Sequence, residues 1–556
     1  MTETITIYCK NNNVYKDVPL GATLLDIYTA VGSPLKNRPM NARVNNKVEG
    51  LTFRCYYPKD VEFIDYTQLS GQRTYVRSLC FIFSKAVHDV LPTATLNLEH
   101  PVSKGYFCKI HNGKSIDHQT IEKIRTRMRE IIDADIPFRF KNTRTSDAVK
   151  LFHERGLFDK ELLVETTGMP YTMYYDLDGY INYFYGCLTP STGYIQLFDI
   201  VPYFDGVLLR IPRRSDPQEL EPVIKQDKMF QAYKEHLTLL DTVGLNNVGD
   251  LNKAIRKGMT PEIIMVSEAM QEKSVAKIAE EIACRFRDNG VRMVLISGPS
   301  SSGKTTFCKR LQIQLITNLI HPVSISLDDY FLDREHTPKD EKGEYDFESL
   351  YALDLPYFNS DLQKAINGEE IALPTFSFET GSRIYKGNKL KMGPNSILII
   401  EGIHALNPEL TSILDDHYKY KVYVSALTSI SLDNHNWIPT TDNRLLRRIV
   451  RDYRFRGYSG KDTIARWESV RKGEDKWIFP YQENADAMFN SAMLYELAAL
   501  RKYAEPILME VLEIEEENAE AYRLLRFLRY FNYIHETELP PTSLLREFLG
   551  GSSFSY

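Results

Sequence analysis

The 556-residue chain has no CxxC pair among its 7 cysteines, no apolar run long enough for a membrane helix and no excess of positive charge. Each absence removes a class of function. An odd number of thiols, scattered at positions 9, 55, 80, 108, 187, 284 and 308, argues for reduced cysteines in a cytosolic compartment and against a disulfide-stapled secreted protein. Apolar stretches stay short of the roughly 18 residues a membrane helix needs, and the start MTETITIYCKNNN lacks the basic-then-apolar order of a signal peptide. The expectation is a cytoplasmic protein with no membrane partner. With 68 Lys and Arg against 74 Asp and Glu the net charge is −6, so no general affinity for nucleic acid follows and any polyanion site must be local. Hydrophobic residues at 43% and charged ones at 26% are ordinary for a globular protein, and the length calls for several domains.

What is present is concentrated in one stretch. Gly298-Pro299-Ser300-Ser301-Ser302-Gly303-Lys304-Thr305 follows the apolar run Met293-Val294-Leu295-Ile296 and matches GxxxxGK[ST], in the strand, turn and helix context the motif requires. Its glycines let successive N–H groups curl inward at phosphate oxygens. Lys304 supplies a point charge near the transferred phosphate, and the Thr305 hydroxyl can ligate Mg²⁺. The expected ATP contacts are Gly298, Ser300, Ser301, Ser302, Gly303, Lys304, Thr305 and Thr306.

A phosphate loop alone does not separate a motor, a GTPase and a small-molecule kinase, so the downstream residues decide. A second apolar run, Val323 to Leu327, ends in Asp328-Asp329-Tyr330-Phe331. That places carboxylates at the C-terminal edge of a neighbouring parallel strand, where α/β sheets bind ligands. Asp328 is placed ahead of Asp329 as the base that takes the acceptor hydroxyl's proton. A third strand, from Ser396, delivers Glu401 toward Mg²⁺. Arginines 444, 447, 448, 451, 454 and 456 then crowd into one short stretch with Asp452 as the only acid. The spacing puts 444, 447, 448 and 451 on one helix face, read as a lid in which Arg444 and Arg448 stabilise the charge of the transferring phosphoryl group.

Across about residues 290 to 510 these elements resemble the uridine kinase branch of the phosphoribulokinase/uridine kinase family. SLDDYF stands where that family has its catalytic aspartate, ALDLPYF where it has an Asp-x-Pro, LPTFSFETGSR where it has the base-holding loop, and IIEGIHAL and NRLLRRIVRDYRFRG where it has the Mg²⁺-side acid and the lid. The resemblance implies an ATP- and Mg²⁺-dependent kinase of a nucleoside 5′-hydroxyl. It makes Asp328 the base, Asp354 and Arg383 ribose or lid contacts, and Phe376 and Phe378 stacking walls for the nucleobase, with Tyr330 and Arg451 also on the substrate side. One position departs: Gly381 stands where the pyrimidine kinases carry a His that reads the base, which admits purine nucleosides as acceptors.

Ahead of this region, VPLGATLLDI and NARVNNKVEGL fit a β-β-α-β-β order and resemble a TGS domain, a ubiquitin-like β-grasp. The stretch after it resembles the second N-terminal domain of threonyl-tRNA synthetases. There the paired histidines of the editing site correspond to Arg77 and Phe81, and the Cys–His pair to Cys187 and Ser191, so no tetrahedral metal site is expected.

The expected architecture is therefore an α/β P-loop core, a parallel sheet with helices on both faces, preceded by a β-grasp domain and an α+β synthetase-like domain. The boundaries read as 1–68 (TGS), 69–222 (synthetase-like), 223–285 (helical connector), 286–510 (kinase) and 511–556 (C-terminal helix and tail). Two other readings are a phosphoribulokinase-like kinase of another hydroxylated metabolite and a nucleotide-dependent, RNA- or ribosome-associated regulator. A nucleoside substrate is expected, nucleic acid is not, and a homo-oligomer is allowed. The front half is expected to be separable from catalysis.

Overall fold

The computed structural model describes residues 3–113, 116–340, 343–377 and 380–555. Its largest parallel sheet has the strand order His321–Ser326, Ser396–Glu401, Met293–Ser297, Lys419–Ser425, Ala487–Asn490, every pairing parallel. Strands this apolar are stable only when both faces are covered. Met293–Ser297 is buried throughout, and the helices Thr260–Asp288 and Lys304–Thr317 supply cover. Because Met293–Ser297 is the earliest of these strands yet lies in the middle, the chain turns one way to reach His321–Ser326 and the other to reach Lys419–Ser425. The switch point this creates opens at the C-terminal strand ends, where the phosphate-loop sequence sits.

The front half contributes three further sheets. Residues Thr4–Cys9, Val14–Pro19, Pro39–Val44, Lys47–Glu49 and Lys59–Asp65 form a five-stranded mixed sheet around the helix Leu24–Ala30, which Thr23 caps with Asp26 in a reciprocal box. The 22-residue helix Leu69–Val90 follows, buried along much of its length, then a four-stranded antiparallel and a three-stranded sheet. Arg77 donates from Nε and Nη2 to the Cys187 carbonyl, both at 3.1 Å, while Phe81 is fully buried and stacks with Phe138. Helices Asp227–Val243, Val248–Arg256 and Thr260–Asp288 bridge to the core.

The two halves meet through a polar junction. The segment after strand Lys419–Ser425 reaches into the front half before entering the arginine-rich helix Thr440–Phe455. Leu98 N–H donates to the Asn434 carbonyl (2.8 Å), Asn436 Nδ2 to the Tyr183 carbonyl (2.9 Å), and Trp437 packs on Tyr106. At its centre the fully buried Lys160 bonds Asp159 (3.0 Å), Asp433 (3.3 Å) and His435 Nδ1 (2.9 Å), and His435 Nε2 meets Ser84 at 3.2 Å. Arg73 and Arg523 likewise share Asp442, in the first turn of the arginine helix, with Glu520. No hydrogen bond or ion pair joins a described residue of the front half to the phosphate loop, yet the front half holds Lys160, the partner of the buried Asp433. No described helix is long and apolar enough to cross a membrane.

Candidate active site

Gly298 leaves the central strand so close to the Val424 carbonyl that a Cβ would lie 2.0 Å from its oxygen. The loop then turns, with Ser301 at φ 57°, into the helix Lys304–Thr317. The Ser301 and Ser302 hydroxyls are buried and have no hydrogen-bond partner among the described residues. A buried hydroxyl without a partner costs free energy, and phosphate oxygens would satisfy both. Lys304, nine-tenths buried, donates to the Pro299 carbonyl at 3.2 Å; Thr305 is half-buried and Thr306 fully buried. The residues present fit a nucleotide triphosphate.

What holds the loop is a set of buried ion pairs. Arg444 donates to the Ser300 carbonyl at 3.1 Å and forks onto Glu474, whose Oε1 accepts the Ser300 N–H at 3.0 Å. Burial alone would raise the Glu474 carboxyl, but Arg444 and Arg471 outweigh it and hold the group below its usual range. Arg447, fully buried, bonds the Ser301 carbonyl (3.4 Å) and the Ser491 carbonyl (2.9 Å) and pairs with Glu496. The lid expectation for Arg444 is corrected here: it braces the loop backbone from within because its charge is consumed by Glu474.

Arg448 and Arg451 behave differently. Arg448 reaches the Ser300 hydroxyl at 2.8 Å, and Arg448, Arg451 and Arg456 all share one carboxylate, Asp452, at 3.2, 2.8 and 3.7 Å. Glu348 and Glu474 also act on Arg448, and Asp328 on Arg456, so the arginines form a dense charged cluster beside the loop. Burial, with the neighbouring Arg451, lowers Arg448 and pulls Arg456 down to about 10. An anion at this position would relieve both.

The acids lie opposite. Strand His321–Ser326 stops before the aspartates, and Leu327–Tyr330 forms a short 3-10 turn. Asp329 is committed to the fold, since its Oδ1 accepts the Phe376 N–H at 3.0 Å. Asp328 makes no hydrogen bond or ion pair among the described residues. Glu401 ends its strand with its carboxyl pushed up to about 7, by burial first, opposed by Lys304 and reinforced by Asp328, Glu547 and Asp329. Such a concentration of carboxylate charge suits a cation. Among the described residues no three His, Cys, Asp or Glu side chains form a metal cage, so Thr305 and Glu401 could hold Mg²⁺ only together with phosphate oxygens and water.

On the acceptor side, Asp354 caps the helix Leu355–Ile366 through the Tyr357 N–H (3.1 Å) and pairs with Arg383 at 2.8 Å, so the two residues expected on the ribose meet each other. Tyr330 is fully buried and donates to Asp361 at 3.1 Å; its expected substrate contact is corrected to a core role. Phe376 is half-buried against Phe331, and Phe378 lies outside the described residues. Gly381 has φ +68°, and a Cβ there would stand 3.0 Å from Arg334 Nε. A His at this position would carry backbone strain and press on the Arg334 side chain.

Three acids that sequence reasoning passed over belong to the site: Glu474, Glu348 and Glu547. Glu348 has one oxygen sealed from solvent without a partner, and burial, opposed by Arg448 and reinforced by Glu474, pushes its carboxyl up to about 7. None sits in a motif; Glu474 reaches Ser300 and Glu547 reaches Thr306 from distant parts of the chain, while Glu348 acts on the site through its charge.

Known proteins match the region that carries this site. The model of the phosphoribulokinase/uridine kinase family matches residues 293–497. Uridine kinase of Staphylococcus aureus strain JH9 is 30% identical over 193 residues, 34% of this chain and 83% of that one. Among solved structures, a possible uridine kinase from Bacillus stearothermophilus aligns at 17% identity and TM-score 0.26, over 38% of this chain and 98% of that one. D-glycerate 3-kinase from Cryptococcus neoformans aligns at 14% identity and TM-score 0.22, over 51% and 90%.

Proposed function

The chain belongs to the phosphoribulokinase/uridine kinase family and is a phosphotransferase, and from that premise we propose that it moves the γ-phosphoryl group of ATP to the 5′-hydroxyl of a nucleoside. The observation that supports this reading is the contrast within the aspartate pair: Asp329 is bonded to Phe376, whereas Asp328 makes no hydrogen bond or ion pair among the described residues and lies near enough to Glu401 and Arg456 to act on both. Asp328 takes the proton of the acceptor hydroxyl as the new O–P bond forms and the bond to the β-phosphate oxygen breaks. Lys304, Arg448 and Arg451 meet the charge on the transferring group, and the orphaned Ser301 and Ser302 hydroxyls receive phosphate oxygens. Magnesium, when bound, would neutralise phosphate charge, with Thr305 and Glu401 as its protein-side partners.

Among acceptors, Arg334 beside Gly381 supports a base reader other than the pyrimidine kinases' His, and this favours purine nucleosides alongside uridine. The TGS and synthetase-like readings of the front half belong to the same proposal, as accessory modules without chemistry of their own. The test is ADP release with uridine, cytidine, inosine and guanosine on one preparation, repeated with Asp328→Asn. Turnover should fall by roughly 10² or more in the variant, with ATP affinity little changed. Full activity in Asp328→Asn, or no turnover with any nucleoside, would reject the reading.

A further inference from the structure

The segment Ser543–Leu549, beyond the region matched by the family, returns to the phosphate loop. Leu544, Leu545 and Phe548 are fully buried, and a Cβ on Gly303 would lie 2.7 Å from Leu544. Between them the half-exposed Glu547 turns its carboxylate onto the start of the loop helix. One oxygen accepts both the Thr306 N–H at 3.2 Å and the Thr306 hydroxyl at 2.6 Å.

Thr306 is the third residue of the helix Lys304–Thr317, so its N–H is one of the first-turn donors that no residue inside the helix can satisfy. In a phosphate loop such donors are the groups that take nucleotide phosphate oxygens. Here a backbone N–H and an adjacent hydroxyl converge on a single anionic oxygen, and that oxygen belongs to the protein. Glu547 also adds a like charge to the carboxylates around Glu401, the reverse of what a triphosphate needs nearby.

We propose that Glu547 is an internal phosphate mimic: its carboxylate occupies a nucleotide-phosphate position on Thr306 and must leave when nucleotide binds, so that the C-terminal segment restrains loading. The inference rests on the nucleotide reading above. Only the Glu547 side chain has to swing out, because Leu544, Leu545 and Phe548 anchor the segment independently of it. Binding is then weakened by the fraction of molecules in which the carboxylate is seated.

The test is calorimetric titration of the full chain with the non-hydrolysable analogue AMP-PNP and Mg²⁺, for the wild type, Glu547→Ala and Glu547→Gln, with Tm recorded for each. Glu547→Ala should bind about tenfold tighter, Glu547→Gln should fall between, and Tm should hold or drop slightly. Unchanged or weaker binding in a folded Glu547→Ala would overturn the inference and leave a plain helix cap, while the nucleotide reading would survive. Absence of binding in folded wild type and variants alike would overturn both. Should those variants fail to fold, Glu547→Asp, one methylene shorter and unable to seat fully on Thr306, takes their place: tighter AMP-PNP binding supports displacement, and unchanged binding overturns it.

Discussion

The junction around Lys160 and the phosphate loop are both buried and polar, but they differ in how their groups are satisfied. At the junction Lys160, Asp433, His435 and Ser84 bond one another, and none of these side chains is left with an unpaired buried atom. At the loop the Ser301 and Ser302 hydroxyls and one Glu348 oxygen have no hydrogen-bond partner among the described residues, and three adjoining arginines crowd onto Asp452. A closed network is complete in the free protein and serves the fold. An open one carries a cost that a ligand can offset, and this separates the two regions more sharply than burial or charge does.

Replacing Lys304 by Ala tests the open region most severely. Turnover should fall by roughly 10³ or more while Tm changes little, because the charge serves the transferring phosphate more than the fold. A large loss of Tm with preserved turnover would assign the loop to structure instead.

The closed region should respond in the opposite way. Lys160→Met strands Asp433 in the interior and should cost about 3–5 kcal/mol in chemical denaturation, with AMP-PNP affinity in the folded fraction unchanged. A piece spanning residues 270–556 should suffer the same stranding and fold poorly unless Asp433 is neutralised as well. Robust folding of that piece with Asp433 intact would show that the junction is dispensable.

The smallest effect tests an unpaired atom. The folded pKa of Glu348, about 7, lies above the ordinary 4.5, so the folded state favours the protonated form. Its contribution to stability is present below about pH 4.5, is lost as pH rises toward 7, and leaves a constant penalty above that. Glu348→Gln should therefore stabilise the ligand-free protein by about 1–3 kcal/mol at pH 8, an advantage that shrinks toward pH 5. Equal stabilisation at both pH values would mean that Glu348 is not held protonated.

Legibility followed the length of chain over which each feature is written. The loop 298–305, the strand ending in Glu401 and the arginine helix were all readable, because each is a contiguous pattern of apolar period and chemistry. Glu474 reaches Ser300 across 174 residues and Glu547 reaches Thr306 across 241, and neither contact leaves a local trace. Arg444 and Arg448 look equivalent in sequence, four apart on one helix, yet the first is spent on Glu474 and the second reaches the Ser300 hydroxyl. Gly381 was readable as an absent His, but its positive φ and the packing of Arg334 were not.

By itself the sequence determined the phosphate-binding chemistry, since a loop that binds anions with consecutive backbone N–H groups needs only its own glycines, lysine and hydroxyls. Tertiary structure alone decided which arginines remain available to phosphate, which aspartate is free to act as base, and that a C-terminal glutamate meets the loop helix. Those outcomes depend on which charges become neighbours once the chain has closed, and the strength of an ion pair or a burial penalty is fixed by that distance and that solvent exclusion rather than by spacing along the sequence.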